Sequence, residues 1–195
     1  MLAMQETPFG QNTRQNMREM NSLAYAGGST ITGAFPRVGY LARVYWRFDG
    51  TITVTLGGGT ATLDAAGPYN LIDRIRVLAN SGQDIYSTSG YGNYLLQIAS
   101  IGQQSYNPRN PGFITSYAHS PNVFAAGVAG GANSWKFGGV IPIALNEQSE
   151  MGLILLQNEM AQTTLSLQFN QNLTSTAASV APIVVTGAAT ATATG

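Results

Sequence analysis

The sequence predicts an all-β fold: an antiparallel sandwich of about eight strands, with one short inserted helix and a helical arm ahead of it. Three observations predict it. Apolar and polar residues alternate over several separate stretches, the period of a strand with one buried face. Clusters of Gly, Pro, Asn and Ser punctuate those stretches as turns. A helical period interrupts the body of the chain near residues 90–101, and no strand–helix–strand rhythm follows, which argues against an α/β fold.

Composition narrows the class. The chain has 195 residues, one domain's worth and long enough for a real core. Apolar residues make up 44% and charged residues only 9%, well under the usual quarter or so. A β protein coated in Thr, Ser, Asn and Gln fits this, and so does a subunit whose surface is covered by neighbours. Nine basic residues balance nine acidic ones, which leaves no electrostatic footprint for nucleic acid; no specific nucleic-acid partner is expected. Lys136 is the one lysine and the other basic residues are Arg, the bias of protein interfaces. Without cysteine, disulfides and thiolate metal sites are excluded. The N-terminus shows no secretory pattern and no apolar run approaches the roughly 18 residues of a membrane span, so synthesis in the cytosol is expected.

Residues 1–39 read as an arm and 40–195 as a single domain. In the arm, Thr13–Ala24 have the spacing of a short helix, with Met17, Met20 and Ala24 on one face; Ala26-Gly27-Gly28-Ser29 ends it. Such a helix packs on its own domain, or docks on a neighbour or a membrane surface. Tyr40–Leu56 give the clearest strand. Asp49-Gly50 suggests a hairpin, but Val44, Trp46, Phe48, Ile52, Val54 and Leu56 all hold even positions straight through Gly50. A two-residue turn would set that apolar set against threonines, whereas one long strand, bent or bulged at Gly50, keeps it on one face.

Gly57-Gly58-Gly59 and Ala65-Ala66-Gly67-Pro68 bracket a short segment at Ala61–Leu63. Leu71–Ala79 alternate, Asn80-Ser81-Gly82 turn, and Gln83–Tyr86 pair back as a short strand. From Gly90 to Ile101 the period becomes helical, with Tyr91, Leu95 and Ile98 on one face and Tyr94 and Ile101 flanking it. Residues 102–133 hold Asn107-Pro108, Asn110-Pro111, Ser120-Pro121 and a Gly/Ala patch, a long excursion of the kind used for interaction. Trp135–Leu145 return to strand, with Phe137, Ile141 and Ile143 inward. Gly152 opens the apolar run Leu153–Leu156, a buried core strand stopped by Gln157-Asn158. Thr163–Phe169 then alternate, with Leu165, Leu167 and Phe169 on the core side. The closing region, 182–194, ends in alternating Ala and Thr, which suits a flat, closely packed or edge strand. Eight strands in two sheets with Greek-key links make a jelly roll.

Residues for chemistry are sparse. His119 is the one histidine, and no GxSxG elbow supports a triad built on it. Glu147 and Glu150, with Glu159 beyond, are the carboxylates a glycosidase would need, and equally suit solvated loops or inter-subunit ion pairs. The glycines at 57–59 lack the Lys-Ser/Thr of a phosphate loop, and Asp64, Asp73 and Asp84 lack calcium-loop spacing. Tyr40, Tyr45, Trp46, Tyr86, Tyr91 and Tyr94 offer a sugar-stacking platform, which makes a lectin-like or viral-spike carbohydrate-binding module the alternative function, although Trp46 falls on the apolar face. No catalytic, cofactor-binding or metal residue is assigned, no cofactor is expected, and the chain reads as a non-enzyme.

Three stretches together resemble the major capsid proteins of the double jelly-roll lineage of tailless icosahedral DNA viruses. They are LARVYWRFDGTITVTL at 41–56, PYNLIDRIRVLANSGQDIYSTSGYGNYLLQIAS at 68–100, and IPIAL at 141–145 followed by GLILLQN and TTLSLQF. A double roll needs about twice this length, so one roll's worth of chain is present, either the first roll of a longer product or a single-roll capsid protein. The resemblance implies a structural coat subunit, made in the host cytoplasm and located in the virion. It would self-assemble as a homo-oligomer into trimeric or pseudo-hexameric capsomers alongside other capsid proteins. The N-terminal arm would lie on the inner side, near an internal membrane or a neighbour.

Overall fold

The computed structural model describes residues 16–79, 82–101, 130–145, 151–157, 162–178 and 180–194. Within them the strands are β1 (Thr30–Ala34), β2 (Tyr40–Leu41), β3 (Arg43–Thr55), β4 (Thr60–Leu63), β5 (Ile72–Ala79) and β6 (Gln83–Thr88). After the helix α1 (Gly90–Ile101) come β7 (Gly131–Pro142), β8 (Ile154–Leu155), β9 (Thr164–Phe169), β10 (Thr174–Ser175), β11 (Ile183–Thr186) and β12 (Thr190–Thr194). The segments outnumber the eight expected because bends split the chain into short pieces; β2, β8 and β10 are two residues each. They form sheets ordered β1-β9-β5-β6, β12-β3-β7, β10-β11-β4 and β2-β8. All pairings are antiparallel except β10–β11. Most join strands far apart in sequence, as Greek-key connections do, and the architecture is an antiparallel jelly-roll sandwich.

Strand β3 is the spine. It pairs with β7 in one continuous register, from Arg43↔Pro142 to Val54↔Gly131, and with β12 from Thr51↔Thr194 to Thr55↔Thr190. The even-numbered set Val44, Trp46, Phe48, Ile52 and Val54 is buried, as its parity requires. Gly50 makes neither a turn nor a bulge. A Cβ there would lie 2.8 Å from Phe48 Cζ and 2.9 Å from the Thr194 carbonyl, so its bare Cα is the seat of the Phe48 ring. Gly57-Gly58-Gly59 form the tight turn into β4, with the Gly59 N–H donating to the Leu56 carbonyl at 2.7 Å and positive φ at Gly57 and Gly58. The Ala-Thr strand β12 is an edge, as its small side chains suggest.

The core is aromatic at its centre. Phe137 is fully buried and meets Trp46, Phe48, Tyr69 and Trp135 at centroid distances of 5.9, 5.2, 5.4 and 6.4 Å, mostly edge-on. Ile72, Ile75 and Val77 of β5, Leu165 and Phe169 of β9, and Ile183 and Val185 of β11 complete the same cluster.

Three expectations are corrected. The helix over 13–24 does not form where the chain is described: residues 16–26 carry no regular secondary structure, and 13–15 lie outside the described residues. So short a helix is marginal by itself, and tertiary contacts prevail. Tyr25 packs edge-on against Phe48 and Phe169 at 5.8 and 4.8 Å, while Met20 and Leu23 fill the space over Gly33. Farther along the stretch assigned to the arm, β1 is woven into a sheet against β9. Second, residues 131–133 of the expected excursion are the first residues of β7; 102–129 lie outside the described residues. Third, the Leu153–Leu156 run is not a buried core strand. Only Ile154 and Leu155 are strand, paired with Leu41 and Tyr40, and Leu155 faces solvent.

The helix α1 is rotated from its expected face: Tyr91 and Tyr94 pack against the core, but Leu95 does not. Leu95 and Leu96 are exposed, whereas Asn93 and Gln97 are buried. Asn93 Oδ1 accepts from Trp46 Nε1 at 3.1 Å and from Gln97 Nε2 at 2.8 Å; Asn93 Nδ2 donates to the Tyr86 hydroxyl and the Val140 carbonyl, each at 2.9 Å. That uses the full hydrogen-bonding capacity of an amide side chain. Gly139 admits the helix, because a Cβ there would stand 2.5 Å from both Asn93 Oδ1 and Gln97 Nε2.

Phe137→Ala is expected to lose about 4 kcal/mol of stability through the cavity it leaves, measured by urea unfolding. Asn93→Leu, close in volume, should cost about 3 kcal/mol by stranding the Trp46 indole and the Val140 carbonyl, and near-ultraviolet circular dichroism should report the changed Trp46 environment. Burial raises the Tyr25, Tyr86 and Tyr94 hydroxyls above the ordinary 10.0; Tyr91 adds to the rise at Tyr94, and the Asn93 bond partly opposes it at Tyr86. The folded state then holds these protons more tightly than the unfolded chain. Their contribution is complete below pH 10.0 and declines as pH rises through the folded-state values, so the urea midpoint should fall progressively above that pH.

Candidate functional site

The carboxylate and histidine candidates, Glu147, Glu150, Glu159 and His119, lie outside the described residues. Among the described residues, no three of His, Cys, Asp and Glu come together in metal-binding geometry. The three aspartates weighed for calcium are on different elements. Asp64 is buried after β4 and accepts from the Ala66 N–H at 2.9 Å and from Asn70 Nδ2 at 3.3 Å, the work of a turn. Asp73 sits on β5, its carboxyl pushed up by burial, and Asp84 on β6 lies 4.0 Å from Arg74.

The six aromatics weighed as a sugar platform are not gathered into a row. Trp46 is core and hydrogen-bonded to Asn93, Tyr86 accepts from Asn93, and Tyr94 stacks on Tyr69 at 4.3 Å with Tyr91 tilted beside it. Tyr45 is half-buried, and Tyr40 stands apart on β2.

What the fold does present is uncharged surface. Val38, Tyr40, Leu145, Met151 and Leu155 each keep about half or more of their area in water, Leu145 as much as 83%. Backbone bonds hold these residues in one neighbourhood. Tyr40 is the register partner of Leu155, the Leu156 N–H donates to the Gly39 carbonyl at 2.9 Å, and the Leu145 N–H donates to the Met151 carbonyl at 2.9 Å. The Ala42 carbonyl accepts from Ile143 and Ala144 at 3.0 and 2.9 Å, which anchors the group to the β3–β7 ladder. Positive φ at Gly39 and Gly152 lets the chain turn into the two short strands. Leu95 and Leu96 on the outer side of α1 add a second apolar exposure.

The described ion pairs are on the outer sheet faces instead. Asp49 pairs with Arg47 and, at 3.9 Å, with Lys136 across the β3–β7 ladder, and Arg74 donates to the Ser87 hydroxyl at 3.1 Å across β5–β6. The composition left a polar-coated surface and a covered one equally open. A continuous apolar run ordinarily signals burial, so Leu155 reads as core until its pairing is seen.

No known family profile matches the sequence, and no curated protein matches it. Solved structures do. The crystal structure of the STIV major capsid protein is similar over 90% of this chain and 46% of that chain, at 20% identity and a TM-score of 0.52. An atomic structure of Sulfolobus Turreted Icosahedral Virus overlaps 78% of this chain and 44% of that chain, at 18% identity and a TM-score of 0.46. A quasi-atomic model of the PBCV-1 virus capsid overlaps 93% and 43%, at 14% identity and 0.44. The chain therefore spans a little under half the length of the chains it matches. At this identity the first likeness establishes the fold alone: over the part it covers, the chain shares the fold of the STIV major capsid protein.

Proposed function

We propose that this chain is a structural coat protein of a virus, a major-capsid-type subunit without catalytic activity that self-assembles into an icosahedral shell. One observation carries the proposal: the fold of the STIV major capsid protein extends over 90% of this chain. The surface chemistry supports it. A net charge of zero with 9% charged residues leaves little to keep copies apart, and Tyr40 and Leu155, opposed in the β2–β8 ladder, both face water.

On this reading the chain acts in the virion capsid, as a homo-oligomer of trimeric or pseudo-hexameric capsomers together with other capsid proteins. Residues 1–39 serve as an arm to the domain at 40–195. Tyr25 anchors the arm to the sandwich, with Met20 and Leu23 packed over Gly33, and the stretch ahead of them reaches a neighbour or an internal membrane. Each structure it matches carries about as much chain again, so a second roll, in the same product or in a partner, completes the capsomer.

Purified protein should sediment as trimers or larger units and show ring- or shell-sized particles by negative-stain microscopy. A clean monomer at high concentration, with no partner required, overturns the proposal. Glu147→Gln and Glu150→Gln should assemble as wild type does, and none of the three preparations should cleave glycans.

A further inference from the structure

We infer that strand β12 pairs with β12 of a second copy of this chain, antiparallel about a two-fold axis at Thr192. The inference rests on the assembly reading above and names the strand that joins two copies. Strand β12 is the edge of the β12-β3-β7 sheet, and it meets β3 in an unbroken register from Thr190↔Thr55 to Thr194↔Thr51. An edge strand offers its free N–H and C=O groups to any other strand, and folded proteins usually blunt it with charge, proline or a bulge. Strand β12 has none of these. Elsewhere such protection is present: β6 carries Asp84 and a register shift, and on β7 the Val140 carbonyl is taken by Asn93 of α1.

The backbone identifies the open groups. In an antiparallel ladder the N–H and C=O of one residue point to the same side, and successive residues alternate. The Thr194 carbonyl is aimed at β3, since it lies 2.9 Å from where a Cβ on Gly50 would stand. The Ile52 carbonyl points the other way, toward β7, where Asn133 Nδ2 donates to it at 3.4 Å, so Thr51 and Thr53 turn to β12. Thr190, Thr192 and Thr194 therefore bond to β3, and Ala191 and Ala193 direct their groups away from it. Among the described residues these outward groups have no partner.

An extended strand satisfies such an alternating row, and the sequence selects which strand. Thr190-Ala191-Thr192-Ala193-Thr194 reads the same in both directions. Turned end for end about Thr192, a second β12 sets Ala191 of each copy opposite Ala193 of the other. Each outward N–H then meets a C=O, and all the open groups of both alanines are used at once. The exposed threonines stay on one face and the half-buried alanines on the other. A slip of one residue would turn the open groups away from each other and flip the faces. The contact is isologous and closed, and it fuses two β12-β3-β7 sheets into one.

Oxidative cross-linking tests the register. The chain has no cysteine, and the pairing makes Thr192 and its copy a non-hydrogen-bonded pair with Cα atoms about 4.5 Å apart, within disulfide reach. Mild oxidation of Thr192→Cys should give a covalent dimer, whereas Thr53→Cys, exposed one strand away on β3, should not. Sedimentation velocity of the full chain over a range of concentrations gives a second readout, with circular dichroism checking the fold of each variant. Ala193→Pro removes an outward N–H and leaves the β3 ladder in place. Across the two-fold it deletes a hydrogen bond twice, and the association constant should fall roughly thirtyfold. If Ala193→Pro fails to fold, Thr192→Lys carries the test: it sets two cations opposite each other and should weaken association, which an equal mixture with Thr192→Glu should restore. Thr192→Cys that yields no covalent dimer while wild type associates, or variants that associate as wild type does, overturn the strand pairing and leave the capsid reading standing, because a shell can close through other surfaces. Protection of the Ala191 and Ala193 amides from hydrogen exchange in dilute, monomeric protein also overturns it, since the chain then covers its own edge. A wild type that stays monomeric throughout overturns both.

Discussion

The helix α1 is fixed to the sandwich most specifically by one side chain. Asn93 is fully buried, and its amide joins three elements: the Trp46 indole from β3, the Val140 carbonyl from β7 and the Tyr86 hydroxyl from β6. A buried amide left unpaired would cost more than an apolar residue in its place, so the site is stable only with all its partners present. That requirement reaches outward. Gly139 must lack a side chain for the helix to approach, and Trp46 must sit at an inward-facing position of β3. A network of this kind defines one arrangement of helix on sheet, where apolar packing alone would tolerate several.

The same node explains the helix's outer surface. Because Asn93 and Gln97 turn inward, Leu95 and Leu96 turn out. The polar residues are held by specific bonds and the apolar ones stay in water. The β2–β8 ladder repeats the pattern: Leu41 packs into the core while Tyr40 and Leu155 face water. A chain with so few charges presents apolar and hydroxyl-bearing surface.

Beneath the surface the sandwich depends on Phe137 and on the uninterrupted β3. Rings from β3, β7 and the turn at Tyr69 converge on Phe137. Strand β3 carries its apolar residues to that point in one register, with Gly50 giving up a side chain so that the Phe48 ring can lie flat against the backbone. Tyr25 closes the other side, linking Phe48 to Phe169 and so coupling the β12-β3-β7 sheet to the β1-β9-β5-β6 sheet.

Strand identity and much of the core were legible in the sequence by itself, because a strand's side chains alternate with a period of two. Parity placed Trp46, Phe48, Ile52 and Val54 on one face and ruled out a hairpin at Asp49-Gly50; the shift to a helical period placed α1 at Gly90–Ile101. Low charge signalled surface for partners, but gave no address for it. Tertiary structure alone decided which face of α1 is buried, where residues 16–26 lie, and that Leu155, inside the Leu153–Leu156 run, faces water while Leu156 is buried. The physical reason is shared. Periodicity records which residues lie on the same side of an element, while the side that meets the core is set by distant partners. For α1 those are Trp46 and Gly139, roughly 45 residues away on either side; for Leu155 it is Tyr40, more than 100 residues earlier.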